Sequence, residues 1–214
     1  MQDAVQALGI PYLVHFTRLC NLNRILSEGL KSRKNLEQEG REYLFSDNMR
    51  FDRHSDAICL SISFPNYKMF YSLREANSQD RWAVILIQPK LLWEKDCAFF
   101  KTNAASNDCR FLDISSRKSR QAFLELFDEQ SKVFQDENRM VKSVEVRSYF
   151  NLPANYTTDP QAEVLCFESI ETDYIMEICF QSEDDRKSVC IPNGFNCVVN
   201  QWPFYGRKDF LAWK

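Results

Sequence analysis

The chain has 214 residues, 44% hydrophobic and 14% aromatic, enough to fill the core of one domain of ordinary size. Its formal net charge of -3 gives no global pull on a polyanion, so any nucleic-acid contact must come from local basic patches. The N-terminus lacks a basic segment followed by an apolar run, and no stretch approaches the ~20 apolar residues of a membrane span, so a cytoplasmic chain without a membrane partner is expected.

The apolar run Tyr12 to Phe16 predicts a short strand. Leu19, Leu22, Ile25, Leu26 and Leu30 then recur at helical spacing, with Gly29 as a C-terminal stop. Residues 31–57 are polar and charged and read as a long loop, the kind that is often functional. Ile58, Leu60, Ile62 and Phe64 alternate with Cys59, Ser61 and Ser63, the period of a half-buried strand, ended by Pro65. The unbroken apolar run Trp82 to Ile87 predicts a strand buried on both faces, stopped by Pro89. Phe123, Phe127 and Phe134 lie near helical spacing and predict an amphipathic helix over 120–134. Three late strands are expected at about 162–168, 174–180 and 195–199. Strands and helices mix without a regular βαβ rhythm, which favours an α+β fold in a single domain over 1–214.

Five glycines leave no GxGxxG or GxxxxGK loop, which argues against a Rossmann or P-loop nucleotide site. The eight cysteines are scattered without a CxxC pair, and the two histidines, His15 and His54, have no close cysteine pair beside them. Reduced thiols and no bound metal are expected.

The segment 14–30 carries His15, Thr17, Asn21, Leu22, Ile25 and Leu26 in the pattern His-x-Thr-x-x-x-Asn-Leu-x-x-Ile-Leu, and Gln161, Ala162 and Glu163 precede apolar Val164 and Leu165. In both segments the chain resembles the DarT family of DNA ADP-ribosyltransferase toxins, whose Gln-Ala-Glu glutamate is catalytic. Met69, Phe70 and Tyr71 are similar to the family's Met-Leu-Tyr element, and the stretch Phe99 to Ala105 to its Phe-Thr-Asp-x-x-Ala loop. The resemblance implies the ADP-ribosyltransferase fold, a split mixed sheet with flanking helices and an NAD cleft between its halves. It also implies NAD as substrate, transfer to thymidine or guanosine of single-stranded DNA, and a macrodomain-type antitoxin as partner, with the chain acting as a monomer. RNA or a protein side chain as acceptor keeps the same fold and remains open, as does a noncatalytic binding module on the same scaffold.

Breaking the nicotinamide–ribose bond builds an oxocarbenium-like ribose, so the site needs an anion nearby and control of the ribose hydroxyls. Glu163 suits this role, although by the residues alone the plainer reading is a solvated edge-strand carboxylate. His15 suits a hydrogen bond to the adenosine ribose. Phe16 offers backbone groups to the nicotinamide amide, and Leu22 belongs to the same motif. Thr17 and Asn21 are ordinary helix-capping types, and the family match adds NAD contact to that reading. Arg50 and Arg53 are candidates for holding the pyrophosphate and orienting or deprotonating the target base, with only one filling the family arginine's place. Tyr71 is a candidate to stack on nicotinamide, or else part of a buried helix face. A single-stranded acceptor wants cations and aromatic platforms. Lys31, Arg33, Lys34, Arg117, Lys118, Trp202 and Arg207 are the candidates, against the plainer readings of solvated charges and core aromatics.

Overall fold

The computed structural model describes residues 1–40, 43 and 53–213. In chain order these form α1 (Gln2–Ala7), β1 (Leu13–Arg18), α2 (Leu19–Glu28), α3 (Arg33–Gln38), β2 (Ile58–Ile62), α4 (Tyr67–Ala76), β3 (Trp82–Ile87), α5 (Leu91–Glu94), β4 (Cys97–Phe100), α6 (Arg120–Leu124), β5 (Ser131–Gln135), β6 (Val141–Glu145), α7 (Val146–Phe150), β7 (Glu163–Cys166), β8 (Ile175–Phe180), α8 (Glu183–Lys187) and β9 (Cys197–Val199). Among the described residues seven strands make one mixed sheet in the order β4-β7-β2-β1-β3-β8-β9, while β5 and β6 pair as a separate hairpin.

The sheet is uneven at its centre. β1 pairs with β3 along six residues, Leu13↔Ile87 to Arg18↔Trp82, but with β2 only at Leu13↔Ile62 and Val14↔Ser61. Beyond those two pairs β1 and β2 diverge, and the sheet is split there. Strand alternation then sorts the core. Leu13, Ile62, Ile85, Ile178, Val164 and Phe99 join α2, α5 and α6 in one continuous cluster. The opposite face carries two smaller clusters, one around Val14, Val84, Cys179 and Phe70 and the other around Ala57, Ala98, Phe100 and Leu165. Coverage of both faces accounts for the uninterrupted apolar run of β3, all six residues of which are buried.

Helix α2 packs Leu19, Leu22, Ile25 and Leu26 into the continuous cluster. It stops at Gly29, whose φ of 82° and ψ of -178° belong to a region essentially reserved for glycine. A Cβ there would also lie 2.3 Å from the Ile170 carbonyl oxygen, because Leu30 and Ile170 form a bridge immediately afterwards. Gly29→Ala is therefore expected to cost at least ~1–3 kcal/mol, read as a lower urea midpoint with unchanged slope.

Four expectations from the sequence are corrected. The polar stretch 31–57 contains α3, started by Ser32, whose side chain accepts from the Asn35 amide. The face of β2 expected to be exposed is largely covered, with Ser61 and Ser63 buried and Cys59 half-buried. The helix expected over 120–134 ends as α6 and a 3-10 turn at Glu125–Phe127, and Phe134 belongs to β5. Thr17 and Asn21 do not cap α2, whose N-cap is Arg18.

Candidate active site

The gap between β1 and β2 continues into a cavity of about 270 Å³. His15, Phe16 and Thr17 of β1 line one side; Ala57, Cys59 and Ser61, with Gln161, Ala162 and Glu163 at the start of β7, line the other. Asn21, Arg24 and Glu28, one face of α2, form a third wall, and Lys31 and Arg33 lie at the rim beyond Gly29. The two sequence motifs thus meet in one place, because antiparallel pairing of β2 with β7 at Leu60↔Val164 brings the beginning of β7 beside the split.

Glu163 is half-buried and aligned with Phe100 across β4. Its Oε2 accepts a 2.9 Å hydrogen bond from the Ala104 amide, and Asn103 and Ala105 line the cavity on either side. The loop entering β7 is fixed by Asp159, which accepts from the Gln161 amide at 2.7 Å. Burial pushes the Asp159 carboxyl up, against hydrogen bonds that lower it.

His15 reaches across the split, its Nδ1 3.0 Å from the Cys59 carbonyl oxygen. A carbonyl only accepts, so Nδ1 carries the proton and Nε2 of the neutral ring is an acceptor. Burial lowers the His15 pKa, more than the Cys59 bond raises it. The unfolded chain therefore takes up this proton first, and native stability is expected to fall as pH drops below about 6.5. His15→Gln is expected to flatten that part of a pH series of denaturation midpoints. Asn21 Nδ2 donates to Thr17 Oγ1 at 3.2 Å, so the buried hydroxyl is held by the side chain one turn into α2. Phe16 stacks its ring on Phe70 at 4.6 Å, leaving its backbone on the stretch of β1 that β2 does not pair.

Other residues are placed differently from expectation. Leu22 is fully buried in the continuous core and takes no part in the cavity wall. Tyr71 is 57% exposed and outside the wall; Met69 of the same helix lines it. Arg53 is exposed and lies over the Phe111 ring at 5.3 Å, while Arg50 lies outside the described residues. Lys31 is bound to Glu28 and Glu39, and hydrogen bonds to these, Glu39 first, raise its pKa. Lys34 is exposed. Arg117 is a strut from the Phe99 carbonyl to Glu125, and Lys118 pairs with Asp96 over the Phe167 ring. Trp202 is partly exposed, edge-on to Phe64. Arg207 is buried: it donates to Asp209 and to the Thr157 and Thr158 carbonyls, which excludes a phosphate contact in this state. Arg24 was not singled out by the motif, although its spacing from Asn21 and Glu28 puts it on the same helix face.

Among the described residues no three of His, Cys, Asp and Glu converge as metal ligands, and no helix is long and apolar enough to cross a membrane. No curated protein matches the chain. Solved structures share its fold, three of them as follows. Thermosipho africanus DarTG in complex with ADP-ribose is 14% identical at a TM-score of 0.61, over 91% of this chain and 51% of that one, so the chain spans about half its length. Thermus sp. 2.9 DarT in complex with ADP-ribosylated ssDNA is 11% identical at 0.59, over 92% and 97%; the same protein in complex with NAD+ is 14% identical at 0.53, over 90% and 96%. The profile of the family described as "ssDNA thymidine ADP-ribosyltransferase, DarT" matches residues 14–197, from the strand that holds His15 to the first residue of β9. With that match across most of its length, the chain belongs to the DarT family.

Proposed function

We propose that the chain cleaves NAD at the nicotinamide–ribose bond and transfers ADP-ribose to a base of single-stranded DNA, thymidine first, as a toxin countered by a macrodomain antitoxin. The observation that carries this reading is the meeting of His15, Thr17, Asn21 and Glu163 around one cavity, from opposite sides of a split sheet. Family membership supports it, as do the NAD+ and ADP-ribosylated ssDNA complexes of the Thermus relative.

The residues divide the work by charge. Glu163, fixed by the Ala104 amide, supplies an anion beside the developing oxocarbenium and an acceptor for the ribose 2′-hydroxyl. His15 Nε2 accepts from the adenosine-ribose hydroxyls, and the backbone of Phe16 serves the nicotinamide amide. Arg24 and Arg33 place guanidinium groups at the α2 wall and beyond Gly29 for the pyrophosphate. Of the two candidate arginines we assign the target-base role to Arg50, since Arg53 is engaged with Phe111 outside the cavity wall. Release of nicotinamide from NAD, followed by chromatography, is expected to accelerate on adding thymidine-containing single strands and not on adding duplex. Acceleration by RNA alone would move the acceptor to RNA, and absence of nicotinamide release under all conditions would contradict the proposal.

A further inference from the structure

Phe111 is 66% exposed, more than any other aromatic residue among the described residues. Two guanidinium groups hold it: Arg53 at 5.3 Å from the ring centroid and Arg110 at 4.7 Å. Among the described residues neither arginine has a carboxylate partner. The Nε of Arg110 is buried without a hydrogen bond, and Arg53 holds a left-handed φ of 63°. Two other cations of this loop are already paired, Arg117 with Glu125 and Lys118 with Asp96, while Asp113 accepts from the Ser115 amide and hydroxyl.

The loop that carries Phe111 is the one that holds Glu163. Ala104 binds the carboxylate, the turns from Asn103 to Leu112 follow directly, and Cys109 is buried in one cluster with Ala104, Phe100 and Leu165. Leu165 lies two residues along β7 from Glu163, on the same strand face. An exposed ring with two unpaired cations beside the catalytic loop has the two parts of a single-strand site, a π-face for a base and positive charge for the phosphates flanking it.

We propose that Phe111 is the stacking platform for the base adjacent to the target base, with Arg53 and Arg110 taking its phosphates, so that preference for single strands is built into the loop that orients Glu163. This rests on the reading of the chain as a nucleic-acid ADP-ribosyltransferase. Only an unpaired base can lie flat on the ring, and the ring's exposure makes its removal harmless to the core.

The test measures binding of, and transfer to, a thymidine-containing single-stranded oligonucleotide by wild type, Phe111→Ala and Phe111→Trp, each with an intact and an abasic neighbour to the target. Phe111→Ala is expected to weaken binding about 5- to 150-fold with unchanged thermal midpoint, and Phe111→Trp to restore it. The abasic oligonucleotide is expected to bind wild type as weakly as the intact one binds Phe111→Ala, and the two changes together to cost no more than either. Arg53→Ala and Arg110→Ala are each expected to reduce the salt slope of binding by about 0.7. If wild type modifies the oligonucleotide and Phe111→Ala binds it within twofold of wild type, the platform is wrong and the transferase reading stands. If wild type neither binds nor modifies any oligonucleotide, both are wrong.

Discussion

Glu163→Gln is expected to lower the rate of ADP-ribose transfer by about 10²- to 10³-fold while leaving the thermal midpoint and NAD affinity close to wild type. The reasoning is electrostatic. Glutamine keeps an oxygen that accepts from the Ala104 amide at the same place, so the strand start and its loop stay as they are. What disappears is the negative charge, on which the transition state with its cationic ribose depends most, while the second oxygen becomes an NH2 that can still donate to the ribose 2′-hydroxyl. The separation of kcat from affinity is therefore the informative readout. A variant that lost NAD binding in proportion to activity would make Glu163 a ground-state contact instead.

Arg207→Ala is expected to be the most destabilising single substitution considered, at ~3–5 kcal/mol, or on the order of 6–20 °C in thermal midpoint for a chain of this size. The side chains of Arg207 and Asp209 are 1% and 0% exposed, and their Nη2···Oδ2 distance is 2.5 Å. Asp209 also accepts from Trp213 Nε1, which ties the last described turn to the pair. Removing the guanidinium leaves a buried carboxylate without its counter-charge and strips the Thr157 and Thr158 carbonyls of their donors. Because Thr157 and Thr158 lead into the Asp159 turn and Glu163, activity is expected to fall with stability. Replacing both members, Arg207→Met with Asp209→Leu, is expected to lie closer to wild type than the single change. A loss of DNA affinity at unchanged midpoint would instead restore Arg207 to the acceptor site.

The parts of the fold legible in the sequence are those where burial alone sets the pattern. β3 is apolar throughout because both faces are covered, and α2 shows its stripe and its glycine stop. The expectation of a helix over 120–134 went wrong at a definable point. Phe123 and Phe127 do pack edge to face at 5.4 Å on one core, but Phe134 contacts Tyr149 and Phe150 in another cluster. Between them Glu129 accepts from the amides of Arg147 and Ser148 and turns the chain into the hairpin, a contact no local period announces. β4 has four residues, all buried, too few to show alternation. At the candidate site, the spaced motif marked His15, Thr17 and Asn21 and the Gln-Ala-Glu motif marked Glu163, all of which line the cavity, yet the first motif's fixed Leu22 serves the core and its variable Arg24 faces the cavity. Charge runs were the least informative, since Arg117, Lys118 and Arg207 each find a partner brought near by tertiary structure or, for Asp209, two residues away.

The most direct test of the account is the intact mass of short DNA and RNA single strands of varied base content after incubation with the protein and NAD, with Glu163→Gln alongside. A gain of one ADP-ribose on thymidine-containing DNA, absent with the variant, is the predicted result. Equal gain with wild type and variant, or no gain on any strand while the folded protein still binds NAD, would contradict it.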